Sequence, residues 1–540
     1  MNYLNIRFLN HSLCVLYCLS DLVDFAMTAY EKEVIVTDAK KESDGSLDLE
    51  NDDNYYGVVE EDSKKLGIVD KWAQKLNAET KGIERISDDE RTQASVFAAG
   101  SMWLSANLVI ATFSLGTLGI TVFGLSFWQC VLVILSFSFM GAFSVAFFSC
   151  FGPKFGLRQM LLSRYFVGNF TCRIFSLINM IACVGWGAVN IMAAAQLLHI
   201  VNNGALPPWV GCIILVALTI IVTFFGYHVI HIYEKWSWVP NAICFIAIIA
   251  RMAKSKTFTY GTTVGGVTTA GNVLSFGGAV YGYATGWTTF AADYTVYQPK
   301  SYPTWKIFFG VLGGLMFPLC FTMILGAACA TGTLTNERWN ELYSKNAVGG
   351  LVYAVLVEES LHGFGQFLCV LLALSTVANN IPNMYSIALS AQSVWNPLIK
   401  VPRIVWTIAG NLVTLAICIP AYYEFEDVMH NFMNLIAYYL GIYQAISYSE
   451  HFIYRKGKFA NYDYMNYLDP KSYAAGYAGT FAFFVGIAGC VLGMNQVWYQ
   501  GVIGKKIGDY GGDIGFEMGL GFAFIAYNIA RPLELKYVGR

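Results

Sequence analysis

Blocks of about 20 apolar residues recur along the chain, and they constrain its fold more than any other feature. VLVILSFSFMGAFSVAFFSCF (131–151) is one block, and FAFFVGIAGCVLGM (481–494) is the core of another. A helix needs about 20 such residues to cross a bilayer. Inside lipid every backbone polar group must be satisfied within the protein, which leaves helices or closed barrels. Barrel strands alternate apolar and polar residues, and these blocks do not. The expected fold class is an all-α polytopic membrane protein.

Composition agrees. Of 540 residues, 56% are hydrophobic and 13% charged, where soluble domains carry roughly 25% charged. The net charge of −2 gives no basis for a nucleic-acid partner; the expected surroundings are a lipid bilayer. The 13 cysteines fall mostly inside apolar blocks, as Cys130, Cys150, Cys183 and Cys212 do, without CxxC pairs or His–Cys metal spacing. They read as small packing residues. No nucleophile–base constellation, phosphate loop or metal cluster stands out, so no cofactor is expected and an enzyme is the least favoured class.

Residues 1–96 form an expected acidic, disordered cytosolic tail, typified by KKESDGSLDLENDD (40–53). Its opening segment, residues 1–26, carries one early Arg, a broken apolar stretch and no clear cleavage site, unlike a signal peptide. Residues 97–533 form the expected transmembrane domain, and 534–540 a short cytosolic tail. About twelve spans are expected, centred near 111, 140, 187, 217, 245, 284, 318, 374, 412, 437, 484 and 523. With both termini cytosolic, Lys154, Arg158, Arg164, Lys235, Lys300, Lys306, Lys400, Arg403, Arg455, Lys456 and Lys458 lie inside. Fewer cations fall outside, as the positive-inside rule requires.

Two spans carry signs of interruption. The first, WLSANLVIATFSLGTLGITVFG (103–124), is weakened by Ser105, Asn107, Thr112, Ser114, Gly116 and Gly119. The sixth, SFGGAVYGYATGWTTFAADY (275–294), contains Gly277, Gly278, Gly282 and Gly286. Glycine lowers helix propensity by about 1 kcal/mol. Any single glycine is better read as a close-packing residue. Two clusters five spans apart, however, are the pattern of an inverted-repeat transporter with a midplane site.

The third span carries GWGAVNIMAAAQ (185–196). Trp186 and Asn190, four residues apart, share one helix face. An indole beside a carboxamide suits a flat heteroaromatic ring, stacked on one and hydrogen-bonded by the other. An interfacial Trp and a structural Asn are the competing reading. Trp287 offers a second flat face. ANNIPNMYS (378–386), in the eighth span, packs three asparagines and a proline into five positions. Such a polar knot is tolerable only facing a cavity rather than lipid, and its amides suit a nucleobase-like edge. Pro382 is expected to kink the span. Ser375 and Thr376, one to two turns upstream, are candidates for an ion or proton relay with the first span. The charged residues Asp293, Glu517, Glu234 and Lys235 lie mostly near span ends, where snorkelling or structural pairing is the favoured reading.

WLSANLVIATFSLG, LRQMLLSRYFVGN, ACVGWGAVN, TFFGYHVIHIYEKWSWVPN, GWTTFAADYTVY, LALSTVANNIPNMY and RPLELKY occur in that order. Together they resemble the fungal purine–cytosine permeases of the nucleobase–cation symporter family, from about Arg91 to Arg540. Residues 1–26 fall outside the resemblance, which favours Met27 as the family-like start. The resemblance implies a LeuT-like fold, a five-plus-five inverted repeat with two further helices. It implies proton-coupled import of cytosine, adenine, guanine and hypoxanthine, and of 5-fluorocytosine, across the plasma membrane. It places substrate contacts at Thr112, Trp186, Asn190, Trp287, Asn380, Pro382 and Asn383, and cation coupling near Ser375 and Thr376. A related symporter for another ring such as pyridoxine, and a nucleobase sensor that does not transport, are the alternatives.

Overall fold

A computed structural model describes residues 83–224, 235–395, 398, 401–467 and 469–540. The acidic run, residues 1–26 and Glu234 lie outside them. Within the described unit, each of the twelve expected spans contains a helix. The first is split: α1 (Val96–Asn107) and α2 (Ile110–Thr121) meet at a bend of 57°. Then come α3 (Phe127–Ser149), the short α4 (Gln159–Val167), α5 (Asn169–Val201), α6 (Pro208–Phe224), α7 (Trp238–Ser255) and α8 (Val267–Thr285). They are followed by α9 (Thr304–Ala330), α10 (Glu337–Leu356), α11 (His362–Val394), α12 (Arg403–Ala421) and α13 (Phe425–Tyr448). Finally α14 (Tyr477–Gly493) and α15 (Gly515–Tyr537) pack on each other. Five helical runs, six with the α1–α2 pair counted as one, are long and apolar enough to span a membrane unaided.

Burial explains the arrangement. Leu132, Ile246, Phe317 and Phe484 are each more than half exposed, as side chains facing lipid must be and those of a soluble protein rarely are. Toward the centre α5 lies along α11, α8 packs against α3 and α13, and α9 against α1, α2 and α3. Small residues permit these approaches. A methyl on Gly282 would collide with the Met433 carbonyl of α13, so that glycine serves helix packing.

Three features differ from expectation. The segment from Ile83 onward is packed rather than a free tail: Ile86 is buried, its amide donates to Gly156 O at 2.8 Å, and Arg91 donates to Pro153 O at 2.6 Å. At the other end α15 continues past residue 533 to Tyr537. Buried Glu534 accepts the Gly476 and Tyr477 amides at 2.9 and 3.0 Å, so it caps α14 and anchors the helix pair. Helix α10, capped by the Asn336 side chain, was not expected. Its first half carries too many polar residues to read as a span. Pro382 lies inside the single helix α11, so the proline removes a donor without ending the helix.

Candidate functional site

The polar knot of α11 faces protein. Asn379, Asn380, Pro382 and Asn383 are all buried, and their partners are the interruptions in the other helices. Between Asn107 and Ile110 the first span leaves backbone groups without helical partners. Asn379 Nδ2 donates to Ala106 O at 2.5 Å, satisfying a carbonyl at the end of α1. Ser375 Oγ accepts from Ile110 N at 3.2 Å, capping the start of α2. The break is therefore stitched by two α11 side chains one helical turn apart.

From the other side, Asn190 of α5 donates through Nδ2 to Asn379 Oδ1 at 2.5 Å and to Asn380 Oδ1 at 2.8 Å. Asn383 Nδ2 turns back onto its own helix, donating to Asn379 O at 2.9 Å. Among the described residues, Asn190 Oδ1 and Asn383 Oδ1 are left buried without a hydrogen-bond partner. Buried acceptors are normally satisfied, so these two oxygens keep unused hydrogen-bonding capacity within the knot.

The sixth span breaks where the glycine cluster ends. Helix α8 gives way at Gly286 to a 3-10 stretch, Gly286–Asp293, with Phe290 in non-helical geometry. Gly286 is needed there because a Cβ would enter the Trp186 ring. Trp186 and Trp287 are each 2% exposed, which rules out an interfacial role. Their rings stack with centroids 6.2 Å apart and planes 16° from parallel. Trp287 Nε1 donates to Asn107 Oδ1 at 3.1 Å, and Trp103 lies against it at 5.6 Å. Thr112 Oγ1 and Tyr283 OH are 2.7 Å apart, and Tyr283 meets the Trp186 ring edge-on at 5.1 Å.

The structure thus gathers Trp186, Asn190, Asn380 and Asn383, and joins Trp287 and Thr112 to them through Trp186 and Tyr283. Ser375 belongs to the helix break. Thr376 Oγ1 donates to Ala373 O at 2.8 Å within α11. Sequence reasoning passed over Tyr283 and the individual role of Asn379, and read Asn107 only as a weak point of the first span. It also missed Gln444 of α13, whose side chain links Ser144, Tyr281 and Thr285 beneath the break in the sixth span. Its mid-span amide was the available signal. Asp293 is tied to α4 and the residue before it: its carboxylate accepts from Gln159 N at 2.7 Å and its carbonyl from Arg158 at 2.7 Å.

A broken first span, a broken sixth span and a buried amide–indole cluster between them define a membrane transporter of the LeuT type. The fold is similar to that of Mhp1, a nucleobase-cation-symport-1 family transporter, in a closed conformation with bromovinylhydantoin bound. The TM-score is 0.63 at 16% identity, over 85% of this chain and 95% of that one. The inward-facing form of Mhp1 gives 0.62 at 15% identity, over 84% and 96%. The architecture is the five-plus-five inverted repeat with two further helices.

The chain belongs to the family of permeases for cytosine/purines, uracil, thiamine and allantoin, whose model matches residues 86–505. It is 58% identical to the purine-cytosine permease FCY2 of Saccharomyces cerevisiae, over 91% of this chain and 92% of that protein. The purine-cytosine permease fcyB of Emericella nidulans is 46% identical over 86% and 90%. The vitamin B6 transporter TPN1 of Saccharomyces cerevisiae is 29% identical over 86% and 89%. The protein is a multi-pass membrane transporter, not an enzyme.

Proposed function

We propose that the protein imports purine bases and cytosine, with adenine, guanine, hypoxanthine and 5-fluorocytosine among its substrates, by proton-coupled symport and alternating access across the plasma membrane. Both termini face the cytosol. One observation carries the substrate reading: the two partnerless oxygens, Asn190 Oδ1 and Asn383 Oδ1, lie in an amide cluster beside two buried indoles. A nucleobase offers what they lack, ring and exocyclic N–H donors on a flat aromatic body. Asn380 and Thr112 complete the polar lining, and Pro382 keeps a backbone donor out of it. The names of the two purine-cytosine permeases it resembles support the same class.

The indoles would hold the base between them. A ring sandwiched by two others needs about 7 Å between the outer planes, twice a carbon contact distance of roughly 3.5 Å. The observed 6.2 Å centroid separation is shorter, so binding moves Trp287 and the 3-10 stretch away from α5. That displacement pulls on Asn107 through the Trp287 hydrogen bond, and so connects occupancy to the break in the first span. Ser375 and Thr376 carry hydroxyls that do not titrate near neutrality, and each already donates within its own helix. They position the contact between α2 and α11 where coupling is exerted, rather than carry the proton.

The test is uptake of radiolabelled cytosine by permease-deficient yeast expressing the protein, with and without a protonophore, with adenine and pyridoxine as competitors. Saturable uptake that adenine blocks and the protonophore abolishes is expected. Uptake competed by pyridoxine but not by adenine assigns the other ring. Specific base binding without uptake assigns a sensor.

A further inference from the structure

Away from the substrate region, a cleft of about 270 Å³ opens where α13, the loop before α14 and the end of α15 converge. Its lining includes Arg455, Lys471, Arg531 and Arg540, with Tyr454 and Tyr473 as aromatic walls. Glu450 forms its floor. The Glu450 carboxylate is fully buried and receives Arg531 at 3.0 Å and Arg455 at 2.9 Å. Arg531 also bonds Glu534 at 3.1 Å. Arg531 also donates to Arg540 O, at the chain terminus, at 2.8 Å, so four cationic side chains stand against the Glu450 and Glu534 carboxylates and that terminal group, and Lys471 carries the excess positive charge. Lys471 stands on the rim, in the turn Pro470–Ser472 capped by Asp469.

Two further features describe the occupant. The volume is just below the roughly 300 Å³ at which pockets begin to enclose whole drug-sized molecules, so it suits one charged group rather than a complete ligand. The helices bearing the cleft also present apolar side chains beside it. Phe452, Ile453 and Leu533 are each more than half exposed, and Leu535 on the cleft wall is 40% exposed. A cationic cup bordered by outward apolar residues fits a molecule with a phosphate at one end and hydrocarbon at the other.

We infer that this cleft is a binding site for the phosphate of an anionic lipid headgroup, with the acyl chains lying along Ile453 and Leu533. The inference rests on the cytosolic orientation of the Arg455–Lys458 loop and of the C-terminus, the side on which anionic lipids are concentrated. Lys471 supplies a charge-assisted donor to the phosphate, with the Arg455 and Arg540 guanidiniums beside it, while Arg531 holds the Glu450 carboxylate below. The bound lipid joins the loop before α14 to the ends of α13 and α15, clamping the peripheral α14–α15 pair to the core.

The experiment uses the purified full-length protein in phosphatidylcholine nanodiscs. Short-chain phosphatidylinositol 4-phosphate, short-chain phosphatidylcholine and inorganic phosphate are titrated against the wild type, Lys471→Glu and Lys471→Arg. Binding is read by intrinsic fluorescence and thermal midpoint. Because Lys471 is on the rim, the variants keep the Glu450–Arg531 pair and the fold. The phosphoinositide is expected to bind and to raise the midpoint, and the phosphatidylcholine to do neither. Lys471→Glu is expected to weaken that binding by about tenfold or more, and Lys471→Arg to retain it. Lys471-dependent binding of inorganic phosphate as tight as that of the phosphoinositide would keep an anion site but overturn the lipid as its source. Equal binding of both lipids, or binding indifferent to Lys471→Glu, overturns the site altogether. Cytosine uptake does not enter these readouts, so the inference and the transport reading fail separately.

Discussion

Asn379 and Asn383 sit one turn apart on the same helix, and the structure separates their roles sharply enough to be measured. Asn379→Ala removes the donor to Ala106 O and the acceptor for Asn190 Nδ2. Side-chain hydrogen bonds between membrane helices average about 0.6 kcal/mol each, so the two bonds account for roughly 1 kcal/mol. The larger cost is the Ala106 carbonyl, whose ordinary partner, the Ile110 amide, is committed to Ser375. A stranded buried acceptor costs about 1–3 kcal/mol, giving a total of about 2–4 kcal/mol. Asn383→Ala removes only a bond to a carbonyl of its own helix, for well under about 1 kcal/mol. Its loss falls on the ligand, at about 1–3 kcal/mol or roughly 5- to 150-fold in affinity. The assay measures thermal unfolding of detergent-purified variants beside cytosine uptake normalised to surface protein. Asn379→Ala should lower the melting midpoint clearly and reduce surface protein. Asn383→Ala should melt like the wild type and lose uptake. If the two variants melt alike, or Asn383→Ala transports with unchanged half-saturation and rate, the division of labour is wrong.

At the indoles, Trp186→Ala and Trp287→Ala should abolish or nearly abolish uptake, while Phe at either site should weaken it modestly, since stacking adds about 0.5–1.5 kcal/mol beyond area burial; equal tolerance of Phe and Ala in a competition assay would leave them as packing residues. Proton coupling predicts uptake that falls as external pH rises from acidic to neutral and that ignores sodium; a sodium requirement at fixed pH would overturn it. Gly286→Ala should fail through collision with the Trp186 ring, and Gly286→Ala combined with Trp186→Phe should regain part of the lost stability, read as a higher melting midpoint than the single variant. Arg531→Met leaves the Glu450 carboxylate with Arg455 as its one remaining ion-pair partner among the described residues, and should destabilise by about 3–5 kcal/mol, measured by thermal unfolding in detergent.

Hydropathy located the spans because the bilayer imposes one length and one polarity on all of them. It could not announce α10, whose ERWNELYSKNA half is too polar to read as a span and too short to stand out as a helix. The first-span break was legible as a weak region, yet its position at residues 108–109 depends on Ser375 and Asn379, far along the chain, satisfying the freed backbone. That Trp186 and Asn190 share one face of a helix was legible from their spacing, and both are buried. That Asn379 is a stitch while Asn383 keeps an open oxygen was not, because neighbouring asparagines in one helix differ only in what the other helices bring to them. Pro382 gave a clear local signal, and the helix continues through it with the donor removed.

Residues Gly286–Asp293 are wound as 3-10 turns broken at Phe290, and winding is also length. At about 2.0 Å per residue the four residues before the break reach about 8 Å, against about 6 Å at the α-helical rise of about 1.5 Å. Rewinding them between the two pitches would shorten or lengthen the sixth span by about 2 Å. One end is moored, because Asp293 is held by Gln159 and Arg158. The travel therefore appears at the other end, at Trp287, where a shift of about 1 Å is enough to admit a ring. A change of pitch in this short stretch would act like a reel, turning rewinding into an opening along a fixed axis.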